Sequence, residues 1–395
     1  MTPFPILPSG SLLGVMGGGQ LGLMFALAAK RMGYRVMIVD PDSTAPALKV
    51  ADRALVGSYS DPMVLNQLKE HCPAITTEFE NVPAASLSYL EQSRIVRPAA
   101  LSVATCQDRI TEKNFLRDNG FRTAPFLVVT PGTFPDPASV EPLLPGILKA
   151  SREGYDGKGQ WNILSNGQLL PLLDRASGFF ILEKKLDLQT EISVILARAA
   201  NGQVEFFPVV ENIHESGILN FSLAPARIHG DIMKEARVQA EEIARKLDYT
   251  GILSVEFFLD SRGLLYINEL APRPHNSGHF SIDACVTSQF EQHVRVLAGL
   301  PLGSADLLIP SVMGNLLGHL WNQGPPSFAP ILSSPNAKIY LYGKETARPG
   351  RKMGHFTVLD QNQSQAFERA RRILSSVSSC APPLPGIEES TGRMC

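Results

Sequence analysis

The sequence predicts an α/β protein of two or three domains, and three observations support this prediction. The chain has 395 residues, of which 44% are hydrophobic, so it can bury more than one core. Residues 12–40 alternate apolar strands with a helix, as parallel sheets covered by helices do. Residues 254–279 predict a strand pair that carries two carboxylates and leads into a loop rich in cationic and amide side chains. We expect the functional site at that strand pair.

The N-terminal pattern is a βαβ unit. Residues 12–16 predict a strand, a helix follows to about residue 32, and residues 35–39 predict a second strand that ends at Asp40. The turn after the first strand, residues 17–22, matches G-x-G-x-x-G, and Asp40 stands where a ribose-binding acid would stand. The motif leaves two interpretations open: a dinucleotide site, or close strand–helix packing without a nucleotide. In either case we expect the helix N-terminus to offer backbone N–H groups to an anion.

Two later segments also point to ligands. Residues 77–83 follow the carboxyl end of a predicted strand, where open α/β sheets bind ligands. Residues 154–160 form a glycine-rich loop after a predicted strand that contains Lys149. Its glycines let a ligand approach the backbone closely, and Lys158 can neutralise phosphate. The spacing is not that of a Walker A loop, and a flexible hairpin tip is the alternative.

The strand pair places two glutamates together. If residue 259 faces residue 264 across the turn 260–263, Glu256 and Glu269 are diagonal neighbours on one face, roughly 6–8 Å apart at Cβ. Carboxylates this close repel each other unless a cation lies between them. Oxygen ligands beside a phosphate favour Mg²⁺. Two solvated glutamates are the alternative.

The C-terminal region predicts a helix at 281–297 and strands at 315–321, 337–342 and 355–359. The loop 343–352 carries four cations between glycines and a proline. That pattern suggests a phosphate site, with a solvated basic loop as the alternative.

Composition and charge exclude other classes. The net charge of −2 argues against a dedicated nucleic-acid surface. The five cysteines form no C-x-x-C pair, so we expect reduced thiols in the cytoplasm rather than a disulfide framework. Residues 12–29 are uncharged but contain several glycines and Gln20, which indicates strand, loop and helix rather than a membrane span. The first ten residues carry no Lys or Arg, so no signal peptide is expected.

Six segments in order resemble one family. They are GGGQLG (17–22), TEFENVP (77–83), GYDGKGQ (154–160), the segment 183–191, NELAPRPHNSGH (268–279) and GKETARPGRKMGH (343–355). Together they resemble the ATP-grasp enzymes and, among these, the N5-carboxyaminoimidazole ribonucleotide synthetases. The resemblance implies an α/β ATP-grasp fold with an N-terminal Rossmann-like (pre-ATP-grasp) domain and a small C-terminal β-rich domain. We expect the domains at 1–105, 106–310 (with a lid subdomain at about 125–185) and 311–395, ending in a loose tail.

The resemblance also implies an activity. It is the ATP- and bicarbonate-dependent carboxylation of 5-aminoimidazole ribonucleotide through carboxyphosphate, with release of ADP and phosphate, in purine biosynthesis. ATP would be the co-substrate and Mg²⁺ the cofactor, with Mn²⁺ as a substitute. A cytoplasmic homodimer is expected, with no nucleic-acid or membrane partner. The chain departs from the family at Leu23, where members often carry arginine, so no ionic role is expected there.

The same resemblance assigns residues to roles. The ATP contacts would be Arg109, Lys149, Gly154, Tyr155, Asp156, Gly157, Lys158, Gly159, Gln160, Glu183, Lys184, Lys185, Leu186, Glu191, His214, Asn268 and Glu269. Glu256 and Glu269 would hold the metal. Arg273, His275 and Asn276 would lie where carboxyphosphate forms, and Asp156 would accept the amine proton. The ribonucleotide would contact Gly19, Gln20, Leu21, Glu78, Asn81, Lys344 and Arg351.

Three other functions compete with this one. A relative that uses formate or another acid would share the ATP site. An oxidoreductase built on the glycine turn 17–22 and Asp40 would bind a nicotinamide cofactor and would not hydrolyse ATP. A non-catalytic nucleotide sensor would need neither the paired glutamates nor the lysines.

Overall fold

The computed structural model describes residues 6–130, 133, 135–152, 159–175 and 178–377. The expected ATP contacts at residues 154–158, including Asp156 and Lys158, therefore lie outside the described residues. Within the described residues, every helix is too short or too polar to cross a bilayer.

The N-terminal region forms a five-stranded parallel sheet in the order β3-β2-β1-β4-β5. Its elements are β1 Leu12–Met16, α1 Gln20–Arg31, β2 Arg35–Asp40, β3 Arg53–Val56, α2 Pro62–His71, β4 Ala74–Thr77, α3 Ala84–Glu91, β5 Ile95–Val96 and α4 Ala100–Cys106. The strand order reverses between β1 and β4, so the segments 17–22 and 77–83 meet at the carboxyl edge of the sheet.

A second sheet has four antiparallel strands in the order β6-β9-β7-β8. This part of the chain contains α5 Arg109–Asp118, β6 Phe126–Val129, α6 Pro137–Val140, β7 Gly146–Ala150, β8 Gln160–Ile163, α7 Asn166–Arg175 and β9 Phe180–Lys184. Lys149 on β7 and Glu183 on β9 lie on neighbouring strands, and both side chains are buried.

The third sheet has nine antiparallel strands in the order β15-β14-β10-β12-β13-β16-β18-β17, with β11 beside β10. Its elements, with the helices that accompany them, are β10 Leu188–Arg198, β11 Val204–Phe206, β12 Val210–Glu215, β13 Ile218–Ala224, α8 Gly230–Lys246, β14 Gly251–Asp260, β15 Leu265–Ala271, α9 Ser281–Ala284, α10 Gln289–Ala298, β16 Ser311–Leu317, α11 Ala329–Leu332, β17 Ala337–Leu341, β18 Lys352–Leu359 and α12 Gln363–Ser376. Because β13 pairs with β16, the C-terminal strands extend this sheet rather than form one of their own.

Two helices connect the layers. Helix α8 buries Ala236, Ala240 and Ile243 against the nine-stranded sheet, at the spacing of one helical face. Helix α10 joins the N-terminal region, because its Val294 packs in the same apolar cluster as Phe25 of α1. Because α10 also packs against β14, it connects the N-terminal region to the strand that carries Glu256.

Two predicted elements were wrong in extent. The helix expected at 281–297 is broken into α9 and α10, because the Ser288 side chain accepts a hydrogen bond from the Glu291 N–H and starts a new helix. The strand expected at 315–321 starts at Ser311 and ends at Leu317. Gly318 then lies against the backbone of Arg348, where a Cβ would stand 2.1 Å from the carbonyl oxygen. Helix α12 was not predicted.

Candidate active site

The carboxylate hairpin brings Glu256 and Glu269 together through a bulge. Strands β14 and β15 pair Leu259 with Leu265, and a shift of one residue after Phe257 puts Glu256 directly opposite Glu269. The diagonal arrangement predicted from the turn was therefore wrong. The Asp260 N–H donates to the Leu264 carbonyl at 3.0 Å and the Asp260 carboxylate accepts the Leu264 N–H at 2.9 Å, so the turn spans residues 261–263. Asn268 is the extra residue of the bulge. Both glutamates still share one face.

Each glutamate of this pair has a cationic or imidazole partner. Glu256 Oε1 lies 2.9 Å from His275 Nε2, and His275 Nδ1 lies 2.8 Å from the Ser277 hydroxyl. Burial acts to raise the pKa of Glu256, but His275 outweighs it and lowers that pKa to about 2. Glu269 Oε2 accepts a hydrogen bond from Arg109 at 2.9 Å. Glu256 is therefore ionised at neutral pH.

The donor set of the hairpin suits a hard cation. Asn268 Oδ1, on the bulge between the glutamates, is buried and accepts no hydrogen bond from the described residues. Two carboxylates and an amide oxygen match Mg²⁺, which takes one or two carboxylates and completes its shell with water and substrate phosphates. Within the described residues, no group of three or more His, Cys, Asp or Glu side chains is placed to hold a metal by itself. The hairpin therefore fits a metal shared with a bound phosphate.

A buried cluster of opposite sign lies beside the hairpin. Lys149 Nζ and Lys113 Nζ lie 2.7 and 3.3 Å from the two oxygens of Glu183. Burial acts to raise the pKa of Glu183, but the two ammonium groups outweigh it and lower that pKa to about 2. One carboxylate faces two lysines, so the cluster presents excess positive charge to a phosphate.

Arg109 connects the cluster to the hairpin. Burial acts to lower its pKa, whereas Glu269, Glu112 and Glu183 together raise it. The neighbouring Glu112 is buried, and burial together with the charge of Glu269 raises its pKa to about 8. Lys113 and Glu112 were missed from the sequence. Their signal was two charged residues on the face of α5 that also buries Leu116.

The other expected ATP contacts lie at the end of the glycine-rich loop, on the connector after β9, and on β10 and β12. Ala150 N–H donates to the carbonyl of Gly159 at 2.8 Å, and Gln160 pairs with Lys149 in the sheet, so the end of the glycine-rich loop lies beside the cluster. Lys184, Lys185 and Leu186 form the connector from β9 to β10. Beyond it, Glu191 Oε2 lies 3.1 Å from His214 Nδ1. Burial opposes protonation of His214, but Glu191 outweighs it and raises its pKa.

The loop after β15 is fixed from two sides. The Arg273 guanidinium donates to both oxygens of Glu80, from Nε at 2.5 Å and from Nη2 at 3.3 Å. Asn276 exchanges two hydrogen bonds with the buried Asn315 of β16, at 2.6 and 3.1 Å. Neither Glu80 nor Asn315 was predicted from the sequence. The amide of Asn276 is thus largely committed to the protein.

The glycine turn holds carboxylates of the protein itself. Glu78 accepts the N–H of Gly19 and the N–H of Gly22, each at 2.5 Å, and burial raises the pKa of this carboxyl. Asp40 accepts the N–H of Gly18 at 2.6 Å. The expectation that these N–H groups are open to an anion was wrong, because two acidic side chains from neighbouring strand ends reach them first. These N–H groups already donate to protein carboxylates, so they are not available to a dinucleotide phosphate.

Beside this turn is a cleft of about 230 Å³ that brings distant residues together. Lys344 and Arg351, from the loop between β17 and β18, face the N-terminal sheet across it. Its lining consists of Gly19, Gln20, Asp40, Asp42, Ala45, Pro46, Tyr59, Glu78, Phe79, Lys344 and Arg351. Two expected contacts are not in this lining. Leu21 packs in an apolar cluster with Phe290 and Tyr342, and Asn81 is exposed.

Three family models match successive parts of the chain. The "Ribonucleotide synthetase preATP-grasp domain" covers residues 11–107, the "ATP-grasp domain" covers 114–290, and the "Phosphoribosylaminoimidazole carboxylase C-terminal domain" covers 311–369. The architecture is therefore the ATP-grasp fold with an N-terminal preATP-grasp domain and a C-terminal domain.

Curated relatives and solved structures agree. The N5-carboxyaminoimidazole ribonucleotide synthase of Bacillus subtilis is 41% identical over 366 residues, covering 91% of this chain and 94% of the relative. That of Brucella melitensis is 43% identical over 361 residues, covering 89% and 97%. The Staphylococcus aureus synthetase complexed with ADP has a TM-score of 0.88 and 37% identity, covering 94% of this chain and 99% of that one. The Aspergillus clavatus synthase with ADP and 5-aminoimidazole ribonucleotide has a TM-score of 0.83 and 30% identity, covering 93% and 99%.

Proposed function

The chain belongs to the N5-carboxyaminoimidazole ribonucleotide synthase family of ATP-grasp enzymes, and we propose that the hairpin, the lysine cluster and the cleft form its active site. It is a carboxylate–amine ligase that carboxylates 5-aminoimidazole ribonucleotide with ATP in purine biosynthesis. The observation that carries the site assignment is the contact of Arg109 with Glu269, beside the Lys113–Glu183–Lys149 cluster. The group proposed to bind phosphate, Arg109, thus contacts the group proposed to bind the metal, Glu269.

Glu256, Glu269 and Asn268 would hold Mg²⁺, or Mn²⁺ in its place. When bound, the metal would neutralise charge on the ATP phosphates. Arg109 would keep Glu269 in its place in the hairpin, since the two side chains are hydrogen bonded. His275 would do the same for Glu256, at 2.9 Å.

The ATP phosphates would lie against Lys149 and Arg109, with Gly159 and Gln160 at the base of the glycine-rich loop. Glu183 would hold Lys149 extended, since they lie 2.7 Å apart. The connector 184–186, with Glu191 and His214, would contact the base and ribose. Positioning and charge neutralisation are what phosphoryl transfer chiefly needs from a protein.

Bicarbonate would be activated beside Arg273. Among the described residues, the guanidinium uses three N–H groups on Glu80 and the Pro274 carbonyl, so two would be available for the oxygens of bicarbonate and carboxyphosphate. His275 and the remaining amide hydrogen of Asn276 would border the same space. Asp156 would accept the proton that the ribonucleotide amine loses on carboxylation.

The ribonucleotide would occupy the cleft, its 5′-phosphate on Lys344 and Arg351 and its ribose toward Gly19, Gln20 and Glu78. Replacing both cations (Lys344→Met with Arg351→Met) should raise the KM for the ribonucleotide by at least about 100-fold, since hydrogen bonds to charged groups contribute about 1.5–3 kcal/mol each. The KM for ATP should stay within about twofold of wild type. An unchanged ribonucleotide KM would refute this placement.

The test of the function is ADP release from Mg-ATP, with ribonucleotide and bicarbonate each added or omitted. Release that requires the ribonucleotide and rises with bicarbonate, together with a carboxylated product, is expected. Release with formate in place of bicarbonate would indicate a formyl-transferring relative. ATP binding without release would indicate a sensor, and retention of a nicotinamide cofactor without ATP binding would indicate an oxidoreductase.

The working form would be a homodimer in the cytoplasm. The family resemblance supports the dimer. Within the described residues, Cys72, Cys106 and Cys285 are unbonded thiols, which supports a reducing compartment. Sedimentation equilibrium at micromolar concentration tests the oligomeric state, and a single monomeric species would contradict it.

A further inference from the structure

The segment 77–83 carries two glutamates that face different parts of the active site. Glu78 accepts backbone N–H groups of α1 and lines the ribonucleotide cleft. Glu80, two residues later, is bound to Arg273 on the loop after β15, 193 positions along the chain. One short segment therefore touches both the ribonucleotide cleft and the proposed site of bicarbonate activation.

The contact between Glu80 and Arg273 is built to fix an orientation. It is a two-pronged pair, with Nε on one carboxylate oxygen and Nη2 on the other, and this geometry restrains the guanidinium plane as well as its position. The side chains are 26% and 20% exposed, so solvent screens the pair only partly. Arg273 is also close enough to Glu269 and Glu256 for both to raise its pKa, after burial has opposed it. The guanidinium therefore lies within electrostatic reach of the carboxylate hairpin.

The backbone of Glu80 is fixed as well. Gln107, directly after α4, donates its side-chain amide to the carbonyl oxygens of both Glu80 and Val82. A carboxylate on an anchored backbone can hold a partner in one place, whereas a carboxylate on a loose loop would follow its partner. Glu80, fixed to the N-terminal region, therefore restrains the side chain of Arg273.

We propose that Glu80 is a positioning residue for bicarbonate activation, which holds the guanidinium of Arg273 in the orientation that the oxygens of bicarbonate and carboxyphosphate require. This inference rests on the proposed function. Glu80 touches no reacting atom. It acts through Arg273, and its place beside Glu78 connects that orientation to the segment lining the ribonucleotide cleft.

The experiment compares Glu80→Gln with wild type in the complete reaction. The amide keeps the size of the side chain but loses the charge and one acceptor, so Arg273 can turn. Misplacement of a group by about 1 Å can cost about 100-fold. We therefore expect kcat/KM for bicarbonate to fall about 10- to 100-fold while the KM for ATP stays within about twofold. Glu80→Asp, which keeps the charge, should restore part of the loss.

A matched control separates positioning from general stability. Glu211 holds Arg227 in an equally two-pronged pair on β12, away from the cleft, so Glu211→Gln removes the same kind of contact. It should lower the unfolding temperature without changing kcat/KM for bicarbonate. If Glu80→Gln behaves like Glu211→Gln, with kcat/KM for bicarbonate unchanged, the positioning role is refuted.

A double-mutant cycle adds an independent readout. In an Arg273→Ala background, Glu80→Gln should cause little further loss of activity, because the group it positions is gone. Full additivity of the two losses would overturn the proposal. Wild-type enzyme that releases no ADP with bicarbonate and ribonucleotide would instead refute the proposed function, so the two failures are distinguishable.

Discussion

Two carboxylate sites in this molecule differ in what neutralises their charge. At the glycine turn, both oxygens of Glu78 accept backbone N–H groups from the start of α1, so the charge is satisfied by the fold. At the hairpin, Glu256 and Glu269 face each other across a bulge, and the charge of each is offset by a side chain, His275 and Arg109 respectively. A carboxylate of the first kind stabilises structure. A pair of the second kind suits a metal and its phosphates, since the Asn268 oxygen between them accepts no hydrogen bond from the described part of the chain.

The lysine cluster is a third charged site, and its excess charge is positive rather than negative. Glu183 is satisfied by Lys113 and Lys149, but the sum of the three charges is positive in a buried place. Such an imbalance is costly unless a ligand of opposite charge completes it. Charge is thus left unbalanced at the hairpin and the lysine cluster, where ATP and the metal are expected. It is balanced at the glycine turn, where the motif alone had suggested a dinucleotide phosphate.

The largest expected effect is at the hairpin. Glu269→Gln should lower kcat for ADP release by about 10³-fold, because the variant loses a ligand that assists phosphate charge neutralisation. Glu269→Asp should retain more activity and need more Mg²⁺. The control Glu242→Gln, at an exposed pair with Arg245, should be unchanged. If Glu269→Gln releases ADP near the wild-type rate, the hairpin is not a metal site and does not differ in role from the glycine turn.

An intermediate effect is expected in the lysine cluster. Lys113→Met removes one charge-assisted contact of the buried Glu183 and leaves Lys149 beside it, a loss of about 1.5–3 kcal/mol. Urea denaturation should report that loss, and the KM for ATP should rise. Lys30→Met removes an exposed partner of Asp52 and should cost at most about 1 kcal/mol. Equal losses in the two variants would contradict the role of burial.

The smallest effect is expected at the glycine turn. Glu78→Gln turns one acceptor into a donor, which leaves one N–H of the turn unsatisfied at a cost of about 1–2 kcal/mol. Urea denaturation measures this loss. Asp61→Asn, at the N-cap of α2, is the matched control, since asparagine caps helices as well as aspartate does. If Glu78→Gln is as stable as Asp61→Asn, Glu78 is not the structural group described here.

The sequence by itself determined the local elements and the types of chemistry. The βαβ start and the hairpin strands follow from patterns of apolar residues within about ten positions. The ordered segments that resemble the family also determined the fold and activity, which the family models and relatives confirm. The roles assigned to individual residues stay predictions.

The tertiary structure decided which charge meets which. Arg109 and Glu269 are 160 positions apart, and Glu80 and Arg273 are 193 apart, so neither contact leaves a local pattern. The bulge at Asn268 depends on the turn and on the neighbouring strand together. The glycine turn could likewise be predicted only in part. Its backbone shape follows from its glycines, but the group that its N–H groups bind is Glu78, which follows another strand of the sheet. The spacing of apolar residues that predicts helices and strands depends on neighbours in sequence. Ion pairs depend on which residues the fold brings together, so the sequence alone did not predict them.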